Sequence, residues 1–172
     1  MESFFIFLDQ IPSGGKDFVF KEKSIWEEPI KKYNLETKIK EIEAFVFIQP
    51  IKNGCFIKGR LKGILEVPCY RCNELTDHKL DFIFRLVESI DKPHELGVVY
   101  LIEENNRLKL DIAGILWEQF VISQPFKYLC SEDCKGLCPV CGKNLNFGEC
   151  DCQKESLDPR MEIFRKLKLN FK

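Results

Sequence analysis

Eight of the nine cysteines come in close pairs: Cys69 and Cys72 in PCYRC, Cys130 and Cys134 in CSEDC, Cys138 and Cys141 in CPVCG, Cys150 and Cys152 in CDC. Thiolates two to four residues apart can curl their backbone around one ion, and tetrahedral zinc takes four of them at about 2.3 Å. In CPVCG the proline stiffens the start of a knuckle, and Gly142 allows the positive φ that its turn needs. CDC arrives after an eight-residue loop, GKNLNFGE, rich in residues that tolerate left-handed backbone. The spacing therefore predicts one metal site from Cys138, Cys141, Cys150 and Cys152. A second would join Cys69 and Cys72 to Cys130 and Cys134, about sixty residues on, and staple the preceding strand to the terminal module. Zinc, one or two ions per chain, is the expected occupant. Iron suits the same tetrahedral S4 set and ranks second because zinc prevails in structural sites.

Other chemistries fit the pairs less well. A thioredoxin-like pair opens a helix in a βαβ unit, whereas PCYRC is followed by a turn and an alternating, strand-like stretch, NELTDHKLDFIFRLVES. A zinc deaminase needs a His-x-Glu upstream of its cysteines, and both histidines, His78 and His94, lie downstream of PCYRC. Eight thiols complete two tetrahedra without them, so both histidines read as surface residues. SGGKD is no phosphate loop, because Gln10 stands where the first glycine should be and Asp17 replaces the Ser/Thr. No catalytic residue is expected.

Composition restricts the rest. With 172 residues, 45% hydrophobic and 31% charged, the chain can form one good core and a small appended module. No apolar run approaches the roughly 18 residues of a membrane span, and MESFFIFLDQ lacks the basic start of a secretory signal. A cytoplasmic setting is expected, and its reducing conditions argue against a disulfide framework.

The elements that must position the cysteines are mostly strands. SFFIFLD and KDFVFKEK, around QIPSGG, read as a hairpin, and SIWEEPIKKYN as a short helix limited by Pro29. ETKIKEIEAFVFI and CFIKGRLKGILEV form the main hairpin, with Asn53-Gly54 expected to supply left-handed backbone at its turn. In the second of these strands odd positions from Cys55 to Val67 are apolar or small, so Cys55 is read as a core residue. HKLDFIFRLVE adds a strand, and GVVYLIE and RLKLDI another hairpin. Asp111 is the expected N-cap of a buried helix, IAGILWEQFVIS. Asp158 and Pro159 would open a basic amphipathic helix carrying Met161, Phe164 and Leu167. The expected fold is α+β, a mainly antiparallel β-sheet with few helices and a zinc-bound C-terminal Cys-rich module. Residues 1–129 would form the sheet domain with one buried helix, and residues 130–172 the metal module and terminal helix.

The run LDIAGILWEQFVISQPFKYLCSEDCKGLCPVCGKNLNFGECDC, with VPCYRC upstream and LDPR downstream, closely resembles the bacterial and plastid large ribosomal RNA subunit accumulation proteins, the YceD type. The resemblance covers the chain from about residue 55 onward, and the N-terminal IPSGG segment also fits. It implies a non-enzymatic factor that supports accumulation or processing of large-subunit ribosomal RNA during ribosome assembly. The partners so implied are that RNA or a pre-ribosomal particle, or a ribosomal protein, with no membrane and no small-molecule substrate. Family members that lack most of the C-terminal cysteines imply that the cluster stabilises this branch.

Net charge by itself does not announce an RNA-binding protein. It is formally −1, and two four-thiolate zinc sites would take it to about −5. Locally the picture differs: alternation places Lys58, Arg60 and Lys62 on one strand face beside Phe56, with Tyr70 and Arg71 close to its end. Cations with aromatics on a sheet suit phosphate contact and base stacking, so Lys58, Arg60, Lys62 and Arg71 are the candidate RNA-binding residues. The alternative is a zinc-stabilised adaptor that binds only protein and never touches RNA.

Overall fold

The computed structural model describes residues 4–90 and 99–152. The expected terminal helix, with its Asp158 cap, and His94 lie outside the described residues.

Three long antiparallel strands form the frame: β3 (Lys38–Ile51), β4 (Gly54–Pro68) and β5 (Leu75–Ser89). Their register runs unbroken from Gly54↔Ser89 to Pro68↔Leu75 on one side of β4, with a bulge between Ile39 and Glu41 on the other. Period-two patterning accounts for this. Cys55, Ile57, Leu61, Leu65 and Val67 of β4 are buried, and the intervening lysines and arginine are exposed. β2 (Lys16–Phe20) pairs with β3, giving a four-stranded sheet in the order β2-β3-β4-β5. A second, three-stranded sheet has the order β1-β7-β6, from β1 (Phe5–Phe7), β6 (Leu101–Glu104) and β7 (Arg107–Asp111).

Two α-helices, α1 (Ser24–Lys32) and α2 (Ile112–Ile122), and a short 3-10 turn at Leu8–Gln10 are the helical elements among the described residues. Asp111 caps α2 as its sequence position predicts, its Oδ1 accepting from the Gly114 N–H at 3.1 Å. Ile112, Ile115, Leu116 and Phe120 of α2 join one core cluster with Trp26 and Ile30 of α1 and the inner faces of both sheets. The β6–β7 hairpin turns on Asn105 and Asn106, both at positive φ, as a two-residue turn between twisted strands requires.

Three local expectations are corrected. SFFIFLD and KDFVFKEK do not pair with each other: β1 pairs with β7 and β2 with β3. The segment between them has Leu8 and Ile11 buried as anchors, which carries the chain from one sheet to the other, and β2 gains five pairs along β3. Pro29 does not end α1, which continues to Lys32 because Ile25, Trp26 and Ile30 bury one face. Burial outweighs the loss of one helical hydrogen bond. Neither Asn53 nor Gly54 adopts positive φ. Gly54 matters for a different reason: a Cβ there would stand 1.9 Å from the Glu88 carbonyl oxygen, so only glycine lets β4 approach β5 that closely.

Candidate metal centres and the outer sheet face

The turn between β4 and β5 is the first knuckle. Cys69 N–H donates to the Glu74 carbonyl at 2.9 Å and Asn73 N–H to the Cys69 carbonyl at 2.8 Å, with Asn73 at positive φ. The second knuckle lies after α2, held by Tyr70 N–H donating to the Tyr128 carbonyl at 2.9 Å. This docking brings Cys69 Sγ to 3.8 Å from Cys134 Sγ and Cys72 Sγ to 3.7 Å from Cys130 Sγ. All four sulfurs lie within 4.8 Å of one another. A tetrahedron with metal–sulfur bonds of about 2.3 Å has edges of about 3.8 Å, so the separations fit a shared ion.

Cys138, Cys141, Cys150 and Cys152 form the second group, their sulfurs again within 4.8 Å of one another. Val140 N–H donates to Cys138 Sγ at 3.4 Å and Gly142 N–H to the Cys138 carbonyl at 2.9 Å. Gly142 has φ +72°, as its place after CPVC predicts. Both sequence-predicted quartets are therefore brought together, including the pairing across about sixty residues.

Ionisation within each quartet is divided. Burial pushes the Cys69 thiol up, but backbone hydrogen bonds from Arg71, Cys130 and Cys72 bring it down to about 6. A backbone hydrogen bond from Glu74 lowers Cys72, yet burial and its sulfur neighbours push it up to about 12. In the second quartet, backbone hydrogen bonds from Cys141 and Val140 lower Cys138 to about 6, whereas contact with Cys141 and burial push Cys152 up to about 12. Four sulfurs this close cannot all carry charge on their own, and a bound cation resolves the conflict by favouring every thiolate. Among thiols, Cys55 is the contrast. It is fully buried in β4, and burial, with the Glu88 carboxylate nearby, pushes it up to about 12.

Bonds beyond the sulfurs lace the knuckles to one another. Arg71 Nη1 donates to the carbonyls of Glu132 and Cys134, both at 3.0 Å, so this candidate RNA contact, itself exposed, is tied to the second knuckle. Leu137 N–H donates to the Arg71 carbonyl at 3.1 Å, and a Cβ on Gly136 would stand 3.0 Å from that oxygen. Asn146 Nδ2 donates to Cys134 Sγ at 3.3 Å and is the largest cause lowering the Cys134 pKa. The conspicuous Asn-Leu-Asn at 144–146 was the available signal.

The remaining three candidate cations, Lys58, Arg60 and Lys62, alternate on the exposed face of β4. Register places Phe47 beside Lys58 and Arg85 beyond it, then Phe45, Arg60 and Ile83 in the next row. Arg60 is held by Asp81 through two bonds of 2.6 Å. Lys62 stands between Glu43 and Asp81. Phe45, Phe47, Phe56, Lys58 and Arg60 line a shallow groove on this face. Phe45 and Arg85 follow from alternation in β3 and β5, but pairing them with Lys58 and Arg60 requires the register. Tyr70 packs edge-on against Tyr128 at 6.0 Å in the knuckle. His78 is half-buried, with its ring 5.0 Å from that of Tyr128, and burial lowers its pKa.

Among the described residues no helix is long and apolar enough to cross a membrane. Residues 57–168 match the family described as large ribosomal RNA subunit accumulation protein YceD. A relative from Arabidopsis thaliana, the large ribosomal RNA subunit accumulation protein YCED homolog 1, chloroplastic, is 24% identical in an alignment 130 residues long that covers 59% of this chain. The matched region spans 40% of that relative's length. No solved structure matches. With the family match covering well over half of its residues, both cysteine quartets included, the chain belongs to the YceD family of large ribosomal RNA subunit accumulation proteins.

Proposed function

We propose that this protein is a non-enzymatic factor in the accumulation of large-subunit ribosomal RNA, acting in the cytoplasm on the RNA or on an early assembly particle. Family membership supports the general role. The row Phe47–Lys58–Arg85 on the open sheet face is the observation that supports direct RNA contact. It pairs an aromatic ring with two cations, Lys58 and Arg85, at neighbouring positions, the combination that stacks bases and holds phosphates. Zinc is the favoured metal for both quartets and its role is structural: four thiolates close the coordination sphere, with no position for water or substrate. Asp81, which ties down Arg60, and Glu43 near Lys62 concentrate the contact on the Phe47 end of the face.

The competing reading is an adaptor that binds protein alone. It draws support from Val19, Phe45, Ile83 and Val87, which expose 41 to 59% of their surface on the same face. Sedimentation of the tagged protein with large-subunit precursor particles, at low and high salt, separates the two. RNA contact predicts release that steepens with salt. Retention indifferent to salt and to ribonuclease would favour the adaptor.

A further inference from the structure

We infer that the two cysteine quartets are thermodynamically linked, because the loop joining the ligand pairs of the second supplies Asn146 as a positioning residue for Cys134 of the first. The inference rests on the reading of both quartets as metal sites.

Residues 142–149 run between Cys141 and Cys150, both members of the second quartet. From this loop Asn146 reaches across to the first quartet, its Nδ2 donating to Cys134 Sγ at 3.3 Å and its Oδ1 accepting from the Lys135 N–H at 2.8 Å. Asn144 aims it: its Oδ1 accepts from both the backbone N–H and Nδ2 of Asn146, at 3.0 and 2.9 Å. Asn144 Nδ2 reaches Glu74 Oε1, in the first knuckle, at 3.3 Å. Backbone bonds hold the same stretch against both quartets, Leu145 N–H to the Gly136 carbonyl at 2.9 Å and Cys138 N–H to the Lys143 carbonyl at 2.8 Å.

A four-thiolate site carries excess negative charge, and an N–H dipole aimed at one sulfur stabilises it. Partners of this kind typically contribute 10- to 100-fold in metal affinity. Asn146 can do so only when its loop is ordered. Anchoring both ends of that loop, at Cys141 and Cys150, lowers the entropy lost in placing it. Metal in the second site therefore tightens the first, and reciprocity requires the first to tighten the second by the same factor.

The test uses the full chain loaded with zinc and titrated against a chelator of known affinity. Cadmium-113 substitution and NMR assign each ion to its site. Asn146→Asp keeps the oxygen that Lys135 uses, keeps all eight thiols and removes the donor. Cys150→Ser with Cys152→Ser disables the second site. Each variant should weaken the first site by about 10-fold, and combining them should weaken it no further. The linkage is overturned if either variant leaves the first site within about twofold of wild type, or if the two losses multiply. A wild-type chain that takes up no metal would instead remove the metal assignment itself, and the linkage with it.

Discussion

Arg71 donates through Nη1 to the Cys134 carbonyl at 3.0 Å across 63 residues of chain, so a residue lying between two cysteines of one knuckle closes the backbone of the other. Replacement by glutamine should leave the sheet face untouched and loosen the docking of the knuckles. Loss of the two carbonyl bonds should lower stability by about 1 kcal/mol, read by chemical denaturation of the loaded protein. RNA affinity and its salt dependence should remain those of the wild type. A flattened salt slope in this variant would return Arg71 to the RNA interface.

Metal analysis of the purified, fully reduced chain should give two ions. Since the ligands are assembled only by folding, metal removal should melt the knuckles and leave much of the β3–β4–β5 sheet in place. Circular dichroism during chelation, alongside proteolysis of residues 130–152, checks the order of loss. One ion per chain would eliminate one of the quartets as a site.

Cys55 separates core thiol from ligand thiol. Burial pushes it up to about 12 from an ordinary value of 9.0, so the folded protein holds it protonated and unreactive at pH 8. Alkylation there should label the eight paired cysteines once metal is removed and spare Cys55 until the sheet unfolds, as peptide mass mapping would register. The sign with pH follows: the folded state retains a proton that the unfolded chain loses above about 9, so this contribution to stability declines as pH rises from about 9 towards 12.

On the sheet face, Lys58→Gln combined with Arg85→Gln should flatten the salt dependence of RNA binding by about 1.4 to 1.8 in log–log slope, at 0.7 to 0.9 per phosphate contact. Arg60→Gln should do less, because Asp81 already holds that guanidinium. Phe47→Ala should weaken single-stranded RNA binding by about 1 to 3 kcal/mol and leave the slope alone. RNA affinity equal to wild type in both Lys58/Arg85 and Phe47 variants would leave the face without an RNA role.

Much of this was legible in residue order. Alternation in β4 correctly assigned Cys55, Leu61 and Leu65 inward and Lys58 and Lys62 outward, because a two-residue period survives any detail of packing. Cysteine spacing likewise gave the close pairs, since ligand geometry is local within each pair, and the structure brings those pairs together as two quartets. What stayed hidden depends on partners distant in sequence. β1 and β2 look like one hairpin until their partners β7 and β3 are known, and Gly54 looks like a turn residue until the Glu88 carbonyl is placed beside it. Arg71 carries the same lesson: its exposed position follows from its charge, whereas its bonds to the Glu132 and Cys134 carbonyls depend on partners about sixty residues away.

The first quartet also fixes a sequence of events. Cys72 and Cys130 are 58 residues apart, and a cross-link closing a loop of that length removes about 4 kcal/mol of chain entropy from the unfolded ensemble. The ring so formed contains β5, β6, β7 and α2. A nascent chain can pair β3, β4 and β5 as they emerge, but the clasp cannot shut until Cys134 has left the ribosome. Metal at the first quartet would thus act as a late latch, committing a sheet already assembled and withholding full rigidity from any truncated product that ends before residue 134.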